Sequence, residues 1–325
     1  MVPADVCEGR FARDLWAWIT QGFALDAVVT FSSEASPFPD IDVCPLILFI
    51  QRSPPKEEFV WVTCHRPTYD ALSRWMRTDG DAQSDDEVRI VRRSVREGLE
   101  TGLSRPPRPR CTLGTKGYVL GDFVKVMRGI ASGANDFFFL TAEQATALGI
   151  PRQYFVRAIG RTRDVTGDEV TDETIRELER KGRPTLLLSL EDDCAERFPE
   201  PIREYLRLGE QMGLPHRPLI STRNPWYKME RRPPPPFLFA YLGRRHLRFI
   251  RNTAGVVPLT CFLCIYPLDD YTDKLDLIWV LLNNKYVIDN LALVSKSYGQ
   301  GALKVEPRAP ERLPLPEDLV KALAL

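Results

Sequence analysis

Two patterns of apolar positions divide the first part of the chain. Residues 9–23 repeat apolar side chains at helical spacing, which predicts an amphipathic helix. The predicted apolar face of that helix contains Phe11, Leu15, Trp18, Ile19 and Phe23. Continuous apolar runs predict strands at 27–31, 43–50 and 59–63, followed by a closing helix at 68–77. Because continuous runs are typical of strands covered on both faces, residues 1–78 are predicted to form a small, incomplete α/β piece.

Residues 79–110 are predicted to be a linker. An acidic stretch, 79–87, gives way to several arginines and then to the arm Arg105-Pro106-Pro107-Arg108-Pro109-Arg110. Two interpretations remain open for this segment. It is either a helix with a solvated charged face followed by a tether, or an extended arm that contacts phosphates.

From Cys111 to the end, the pattern predicts a second domain that mixes helices and strands. Short strand-like runs are separated by glycine and proline, at 118–128, 136–140, 154–158, 185–190, 219–221, 237–242 and 259–265. Helical patterns occur at 142–148, 171–181, 199–212 and 275–290, and a short helix is predicted within 316–325. This alternation is typical of an α+β domain with long connections.

Composition limits where a charged ligand could bind. The 325 residues carry 44 Lys and Arg against 44 Asp and Glu, so no global basic field exists and any nucleic-acid site must be local. Seven cysteines, with no secretory leader, favour a reducing compartment over a disulfide framework. No apolar run approaches the roughly 20 residues that span a bilayer. The chain is therefore predicted to be cytoplasmic.

One local stretch is strongly basic. Between positions 217 and 251, nine basic residues face a single acid, Glu230: Arg217, Arg223, Lys228, Arg231, Arg232, Arg244, Arg245, Arg248 and Arg251. Aromatic residues lie among them. This pattern predicts a phosphate-contacting surface, and its alternative is a solvated basic face on a strand meander. Arg223, Trp226, Tyr227 and Lys228 are interpreted as a cluster that faces nucleic acid or packs under it.

Motifs for catalysis or metal binding are weak. Cys261 and Cys264 have zinc-knuckle spacing, but no second pair follows, so both are predicted to be buried core residues. Cys64-His65 lacks a matching acid or amide partner for a nucleophile. No catalytic residue and no metal ligand are predicted.

The glycine pair Gly299 and Gly301 could be read as a cofactor cradle or as a recognition loop. Three prolines, Pro307, Pro310 and Pro314, prevent a helix from starting behind the glycines, as a cofactor cradle would require. The segment is therefore predicted to be a recognition loop. The residues that it would present to a nucleic acid are Tyr298, Gln300 and Lys304.

Several segments, taken in order, resemble the C-terminal part of gamma-class adenine-N6 DNA methyltransferases of restriction–modification systems. The resemblance lies in Arg128-Gly129-Ile130-Ala131-Ser132-Gly133-Ala134-Asn135, Arg223 with Trp226-Tyr227, Leu281-Leu282-Asn283-Asn284, Tyr298 to Pro307, and Leu313-Pro314-Leu315-Pro316. It implies that residues 111–325 form a target-recognition domain and that residues 1–78 resemble the end of a Rossmann-like domain. Asn224-Pro225-Trp226-Tyr227 is not taken as the catalytic tetrapeptide, since no donor loop precedes it.

The resemblance also implies a division of labour between two chains. The donor-binding glycine motif and the Asn-Pro-Pro-aromatic tetrapeptide are missing, so this chain resembles the recognition half of a split enzyme that is inactive alone. A partner chain would bind S-adenosylmethionine and flip the target adenine out of duplex DNA. The alternative is a catalytically inactive DNA-binding or protein-interaction component of an anti-phage defence complex. Predicted DNA contacts are Arg128, Ser132, Asn135, Arg223, Trp226, Tyr227, Lys228, Arg244, Arg245, Arg248, Lys296, Tyr298, Gln300 and Lys304.

Overall fold

The computed structural model consists of two compact units. The first contains residues 1–119, 242–247 and 285–324, and the second contains residues 120–241 and 248–284. The structure describes residues 1–8, 12–38, 41, 43–66, 69–77, 84–105, 107, 117–191, 193–243, 247–291, 294–298 and 302–323. The predicted boundary at residue 111 differs from this division, because the first unit also includes segments from the C-terminal part of the chain.

Strands and helices alternate irregularly along the chain. The strands are β1 (Val2–Pro3), β2 (Ala24–Phe31), β3 (Pro45–Gln51), β4 (Glu58–Cys64), β5 (Val88–Ser94), β6 (Tyr118–Val119), β7 (Val124–Arg128), β8 (Phe139–Leu140), β9 (Phe155–Ile159), β10 (Glu169–Val170), β11 (Leu186–Leu188), β12 (Phe237–Ala240), β13 (Leu242–Gly243), β14 (Arg248–Asn252), β15 (Val257–Pro258), β16 (Leu263–Pro267), β17 (Ser295–Tyr298), β18 (Ala302–Val305) and β19 (Pro314–Leu315). The helices are α1 (Asp5–Glu8), α2 (Ala12–Gly22), α3 (Asp70–Arg77), α4 (Val95–Thr101), α5 (Asn135–Phe138), α6 (Ala142–Ala147), α7 (Asp172–Arg180), α8 (Glu200–Gln211), α9 (Leu275–Leu282), α10 (Lys285–Asn290) and α11 (Glu317–Ala322). No helix in the described ranges is long and apolar enough to cross a membrane.

A five-stranded sheet organises the first unit, with the order β1-β3-β2-β4-β5. Its strands β2 and β4 run parallel, and the other pairs are antiparallel. Side chains of β2 alternate between two cores: Val28 packs with Trp16 of α2, whereas Val29 packs with Trp75 of α3. Helices therefore cover both faces of the sheet, which explains why the predicted strands read as continuous apolar runs.

The predicted linker differs from the structure over residues 84–105. Val88–Ser94 forms β5, which pairs with β4 along its whole length, and Val95–Thr101 forms α4. The charged side chains in this stretch misled the prediction. One of them, Arg93, is almost fully buried and binds main-chain carbonyls, so it stabilises the strand–helix turn instead of facing solvent.

The predicted apolar face of α2 is wrong except at Ile19, which packs against the core. The helix buries Ala12, Trp16 and Thr20, while Leu15 and Trp18 are 46% and 68% exposed. Both sets recur at helical spacing, so the period alone could not select the buried set. Phe11 lies outside the described residues.

The C-terminal part of the first unit adds two small sheets. Strands β17 and β18 form an antiparallel pair that β13 extends, with Lys296 opposite Lys304 in the register. Strand β19 pairs with β6. The predicted helix at 275–290 is interrupted, because α9 ends at Leu282 and α10 begins at Lys285.

Two mixed sheets form the second unit, in the orders β10-β14-β12-β16-β7 and β15-β9-β11-β8. Helix α7 packs Ile175 and Leu178 against the first sheet, and α8 contributes Ile202 and Leu206 to a larger core beside the second. The predicted α+β fold is confirmed. Two strand predictions differ in detail, because 135–138 is one helical turn and 219–221 forms turns.

Candidate nucleic-acid interface

The loop between β7 and α5 uses its two glycines for close packing. A Cβ on Gly129 would lie only 2.2 Å from the carbonyl oxygen of Leu259, and its own N–H donates to the Phe262 carbonyl at 3.0 Å. Gly133 has a φ of +79°, and a Cβ there would lie 2.7 Å from Ile220. The protein itself fills the space beside both glycines. This loop therefore does not offer the open backbone cradle that a cofactor phosphate needs.

Ser132 and Asn135 form a cap at the end of this loop. The buried Ser132 hydroxyl donates to Oδ1 of Asn135 and accepts from the Ala134 N–H at 3.2 Å. Asn135 is exposed at the first residue of α5. Ser132, predicted as a DNA contact, thus positions the loop, and Asn135 is the member of the pair that reaches the surface.

Arg223 joins this loop to the turn segment 217–228. Its guanidinium donates to the carbonyls of Ala131 at 2.6 Å and Ser132 at 2.8 Å, and its central carbon lies 5.9 Å from the Phe138 ring centroid. Burial lowers the pKa of the Arg223 guanidinium from its usual value. The structure gives Arg223 a role in holding two surface segments together.

Trp226 and Tyr227 lie beneath the surface of the same segment. The Trp226 ring centroid is 6.0 Å from that of Phe137, and Gly209 leaves space for the indole, since a Cβ there would meet it at 2.5 Å. Tyr227 is buried and donates its hydroxyl to the Asp193 carbonyl at 2.6 Å. Burial raises the pKa of the Tyr227 phenol. The sequence left open whether this aromatic pair faces nucleic acid or packs beneath the surface. The burial of Tyr227 matches packing beneath the surface.

Three depressions of the second unit share lining residues, and we call them together the basic groove. Their volumes are about 530, 420 and 600 Å³. The first and second depressions share Arg231, and the second and third share Arg232. Seven basic side chains line this groove: Arg128, Arg152, Arg157, Arg223, Lys228, Arg231 and Arg232. Two acids line it with them, Glu191 and Glu230. The excess of cations gives the groove a positive field suited to a polyanion.

Ion pairs hold several of these cations at the groove surface. Glu230 pairs with Arg128 at 3.8 Å and also with Arg232, while Glu191 pairs with Arg231. The side chains of Arg128 and Arg231 are each 51% exposed. Solvent-exposed pairs contribute about 0–1 kcal/mol, so a phosphate can replace Glu230 at Arg128, or Glu191 at Arg231, with little loss. The pair of Glu230 with Arg232 is less exposed, because the Arg232 side chain is 11% exposed.

Two uncharged polar residues line the same end of the groove as Lys228. Thr222 and Asn224 are exposed there, and the Thr222 hydroxyl donates to the Leu219 carbonyl at 2.8 Å. Neither was among the predicted DNA contacts. Their position within the basic stretch 217–251 was the signal that could have identified them.

The remaining predicted contacts lie elsewhere. Arg248 of β14 is half-buried and donates to the Val165 carbonyl, so its guanidinium is engaged within the second unit. Lys296, Tyr298 and Lys304 belong to the β17–β18 pair of the first unit. Arg244, Arg245 and Gln300 lie outside the described residues.

Four groove arginines were not among the predicted contacts. Arg231 and Arg232 were counted in the basic stretch but not selected, and both line the groove. Arg152 and Arg157 come from the turn before β9 and from β9 itself, about 75 to 80 residues earlier in the chain. Their local sequence gives no signal, because only the fold brings them beside Arg232.

Cys64 and Cys264 lack the features of a nucleophile, and the described residues hold no candidate metal site. Among the described residues, no group of three His, Cys, Asp or Glu side chains could hold a metal ion. Burial raises the pKa values of Cys64 and Cys264 to about 11, which keeps both thiols protonated at neutral pH. The prediction of a buried residue holds for Cys264 but is wrong for Cys261, which is exposed.

Substituting Gly129 by alanine tests the packing of the β7–α5 loop. We expect Gly129→Ala to lower the free energy of unfolding of the second unit by about 1–3 kcal/mol, because the new Cβ would overlap the Leu259 carbonyl. Gly167→Ala is the matched control, since nothing lies within 4 Å of its Cβ position. Hydrogen exchange of peptides from β7 and β16 measures the effect. Equal protection in both variants would contradict this role of Gly129.

Comparison with known proteins relates this chain to the methyltransferases of type II restriction–modification systems. Residues 112–324 match the family model of the C-terminal domain of the type II methyltransferase M.Eco57I, and the chain belongs to that family. The type II methyltransferase M.AccI from Acinetobacter calcoaceticus is 30% identical over 189 residues, which cover 57% of this chain and 34% of M.AccI. The match thus spans about a third of that relative. The predicted kinship with the C-terminal part of a DNA methyltransferase is confirmed.

Two solved structures are similar to the chain. The type IIL restriction-modification enzyme MmeI, solved in complex with DNA, superimposes with a TM-score of 0.53 at 12% identity, covering 88% of this chain and 34% of MmeI. The type IIG restriction endonuclease BpuSI gives a TM-score of 0.41 at 13% identity, covering 99% of this chain and 41% of BpuSI. At such low identity, the MmeI match supports the fold alone.

Proposed function

We propose that this chain is the DNA-recognition half of a split, S-adenosylmethionine-dependent adenine-N6 DNA methyltransferase. It binds duplex DNA along the basic groove and positions the target adenine for a catalytic chain. The observation that carries the proposal is the groove itself, whose seven basic side chains all lie within the residues that match the methyltransferase C-terminal domain family. MmeI, which shares the fold, was solved in complex with DNA.

Phosphate binding in the groove follows from its ion pairs. A DNA phosphate that approaches Arg128 or Arg231 replaces Glu230 or Glu191 as the anion, and it also releases counterions from the duplex. Arg223 and Tyr227 stabilise the groove wall by donating hydrogen bonds to main-chain carbonyls, Arg223 to Ala131 and Tyr227 to Asp193. Phosphate contacts of this kind set the position of the protein on DNA and carry no sequence information.

Base contacts are assigned to exposed amides near the groove end. Asn224 lines the groove, and Asn135 is exposed on the loop that Arg223 ties to the same segment. An amide side chain matches the donor and acceptor pair that adenine presents in the major groove. The predicted contacts Lys296, Tyr298, Gln300 and Lys304 belong to this proposal as further candidates.

The methyl donor is assigned to the partner chain. Among connections from a strand to an α-helix in the described residues, the one with glycines is 129–134, and packing fills the space beside both of them. The partner would therefore supply S-adenosylmethionine and the catalytic tetrapeptide, in the cytoplasm.

A catalytically inactive component of an anti-phage complex is the second candidate. The exposed apolar side chains of the first unit favour that candidate's protein-interaction role.

Duplex binding and methyl transfer by the purified chain test the proposal. We expect binding with a log–log salt slope near −4.5, corresponding to ~5 phosphate contacts, measured by fluorescence anisotropy between about 50 and 200 mM salt. Methyl transfer from radiolabelled S-adenosylmethionine should require the catalytic chain. Salt-independent binding, or methyl transfer by this chain alone, would sink the proposal.

A further inference from the structure

Exposed apolar side chains are concentrated at one end of the sequence. Thirteen large apolar residues are exposed among the described residues, and nine of them lie between Met1 and Met76. The second unit exposes the other four: Leu208, Met212, Leu219 and Val280. Isolated exposed apolar residues need no explanation, whereas exposed apolar residues that adjoin one another on the surface indicate a binding site.

Helix α2 has an apolar face that its own unit does not cover. Trp16 is buried against the sheet, whereas Trp18, two residues later and therefore roughly 200° around the helix, is 68% exposed. Leu15, Trp18 and Gly22 recur at i, i+3 and i+7 on the exposed side, and we call these three residues the α2 stripe. A Cβ on Gly22 would meet nothing within 4 Å, so the stripe ends in open space.

The geometry points to the α2 stripe as the docking site for an apolar groove on the methyl-donor-binding catalytic chain. This inference rests on the proposed function and adds where the partner binds. An amphipathic helix that places residues at i, i+3 and i+7 into a groove is a recurrent recognition mode. The three stripe residues are uncharged, the exposed Asp14 lies beside them four residues before Trp18, and Gly22 allows close approach of the partner at the end of the stripe.

The size of a relative supports a catalytic polypeptide as the occupant. The family match begins at residue 112, so α2 and the sheet beneath it lie outside the C-terminal domain family. About two thirds of M.AccI lies outside the region that matches this chain. The unmatched part of the relative is large enough to contain a methyl-donor-binding domain, and the first unit exposes the apolar surface with which such a domain could pack.

The test is co-expression of this chain with the polypeptide encoded beside it that carries a donor-binding glycine loop and an Asn-Pro-Pro-aromatic tetrapeptide. We expect Trp18→Glu to weaken the complex at least about 30-fold, as loss of an aromatic hot spot does. Leu15→Glu should also weaken it. Leu208→Glu is the matched control, because Leu208 is 45% exposed on α8 of the second unit and Leu15 is 46% exposed. Circular dichroism should show that every variant is folded.

The outcomes separate this inference from the proposed function. Duplex binding by Trp18→Glu alone should equal that of the wild type, while methylation by the mixture is lost and returns at excess catalytic chain. An unchanged complex would overturn the docking site alone, whereas failure of the wild type to bind the catalytic chain would overturn the proposed function together with it. Self-association of this chain that Trp18→Glu abolishes would assign the stripe to a second copy instead. If the wild-type chain shows no salt-dependent DNA binding, the proposed function is overturned, but the measured effect of Trp18→Glu on the complex still stands.

Discussion

Replacing Arg93 by methionine is expected to lower the free energy of unfolding of the first unit by about 3–5 kcal/mol. The Arg93 side chain is fully buried in β5 and lies 5.5 Å from the Phe59 ring centroid. Its guanidinium donates to the carbonyls of Gly102, Leu103 and Arg105 and to the side chains of Glu97 and Thr101. Methionine keeps the apolar volume but leaves these acceptors without their shared donor.

The position of those acceptors explains the size of the effect. Three are carbonyls at or just beyond the C-terminal end of α4, where the helix presents partial negative charge. The shortest bonds, 2.6 Å to the Arg105 carbonyl and 2.7 Å to the Thr101 hydroxyl, join β5 to the segment that leaves α4. Losing Arg93 therefore removes the hydrogen bonds that join the edge strand β5 to the end of α4 and to the segment after it.

Arg92 supplies the matched control for this prediction. It precedes Arg93 in the same strand but is exposed, so Arg92→Met should change stability by no more than about 0.5 kcal/mol. The chain has two units, so a single global unfolding transition does not report the stability of the first unit alone. Hydrogen exchange of peptides covering β4, β5 and α4 is therefore the appropriate readout. Equal protection in the two variants would show that Arg93 does not stabilise this turn.

Arg93 also shows what sequence could not predict about the first unit. Arginines at 89, 92 and 93 made this stretch look like a solvated linker, although its alternation with valine and isoleucine fits a strand. A buried arginine is identified only through its acceptors, and these lie within α4 and in the segment that follows it. The three strands with continuous apolar runs were predicted correctly, because burial on both faces requires no specific partner.

Helix α2 illustrates a second limit. Its apolar residues occupy more of the helix circumference than the sheet covers, so periodicity predicted the helix but selected the wrong face. The groove illustrates a third. Arg128, Arg223 and Lys228 were predicted from local charge and motif, whereas Arg152 and Arg157 join them only through the strand order of the second unit.

Neutralising three groove cations is expected to have the largest effect on DNA binding. The triple variant Arg128→Gln, Lys228→Gln and Arg231→Gln removes side chains that line one depression of the groove, all of them exposed or half-exposed. If each contacts one phosphate, the log–log salt slope should become less steep by about 2.7, and affinity at about 0.1 M salt should fall about 500-fold. Stability should change little, because the ion pairs of these residues are solvent-exposed.

Two comparison proteins make the result specific to the groove. Arg176→Gln with Arg180→Gln neutralises exposed arginines of α7, which pair with Glu173 and do not line the groove, so DNA affinity should be nearly unchanged. Glu230→Gln should act in the opposite direction, because it removes the carboxylate that pairs with Arg128 and Arg232. Anisotropy titrations of one duplex at several salt concentrations measure all three. If the α7 variant and the groove variant lose affinity equally, the field of the whole chain binds DNA, and the basic groove is not the interface.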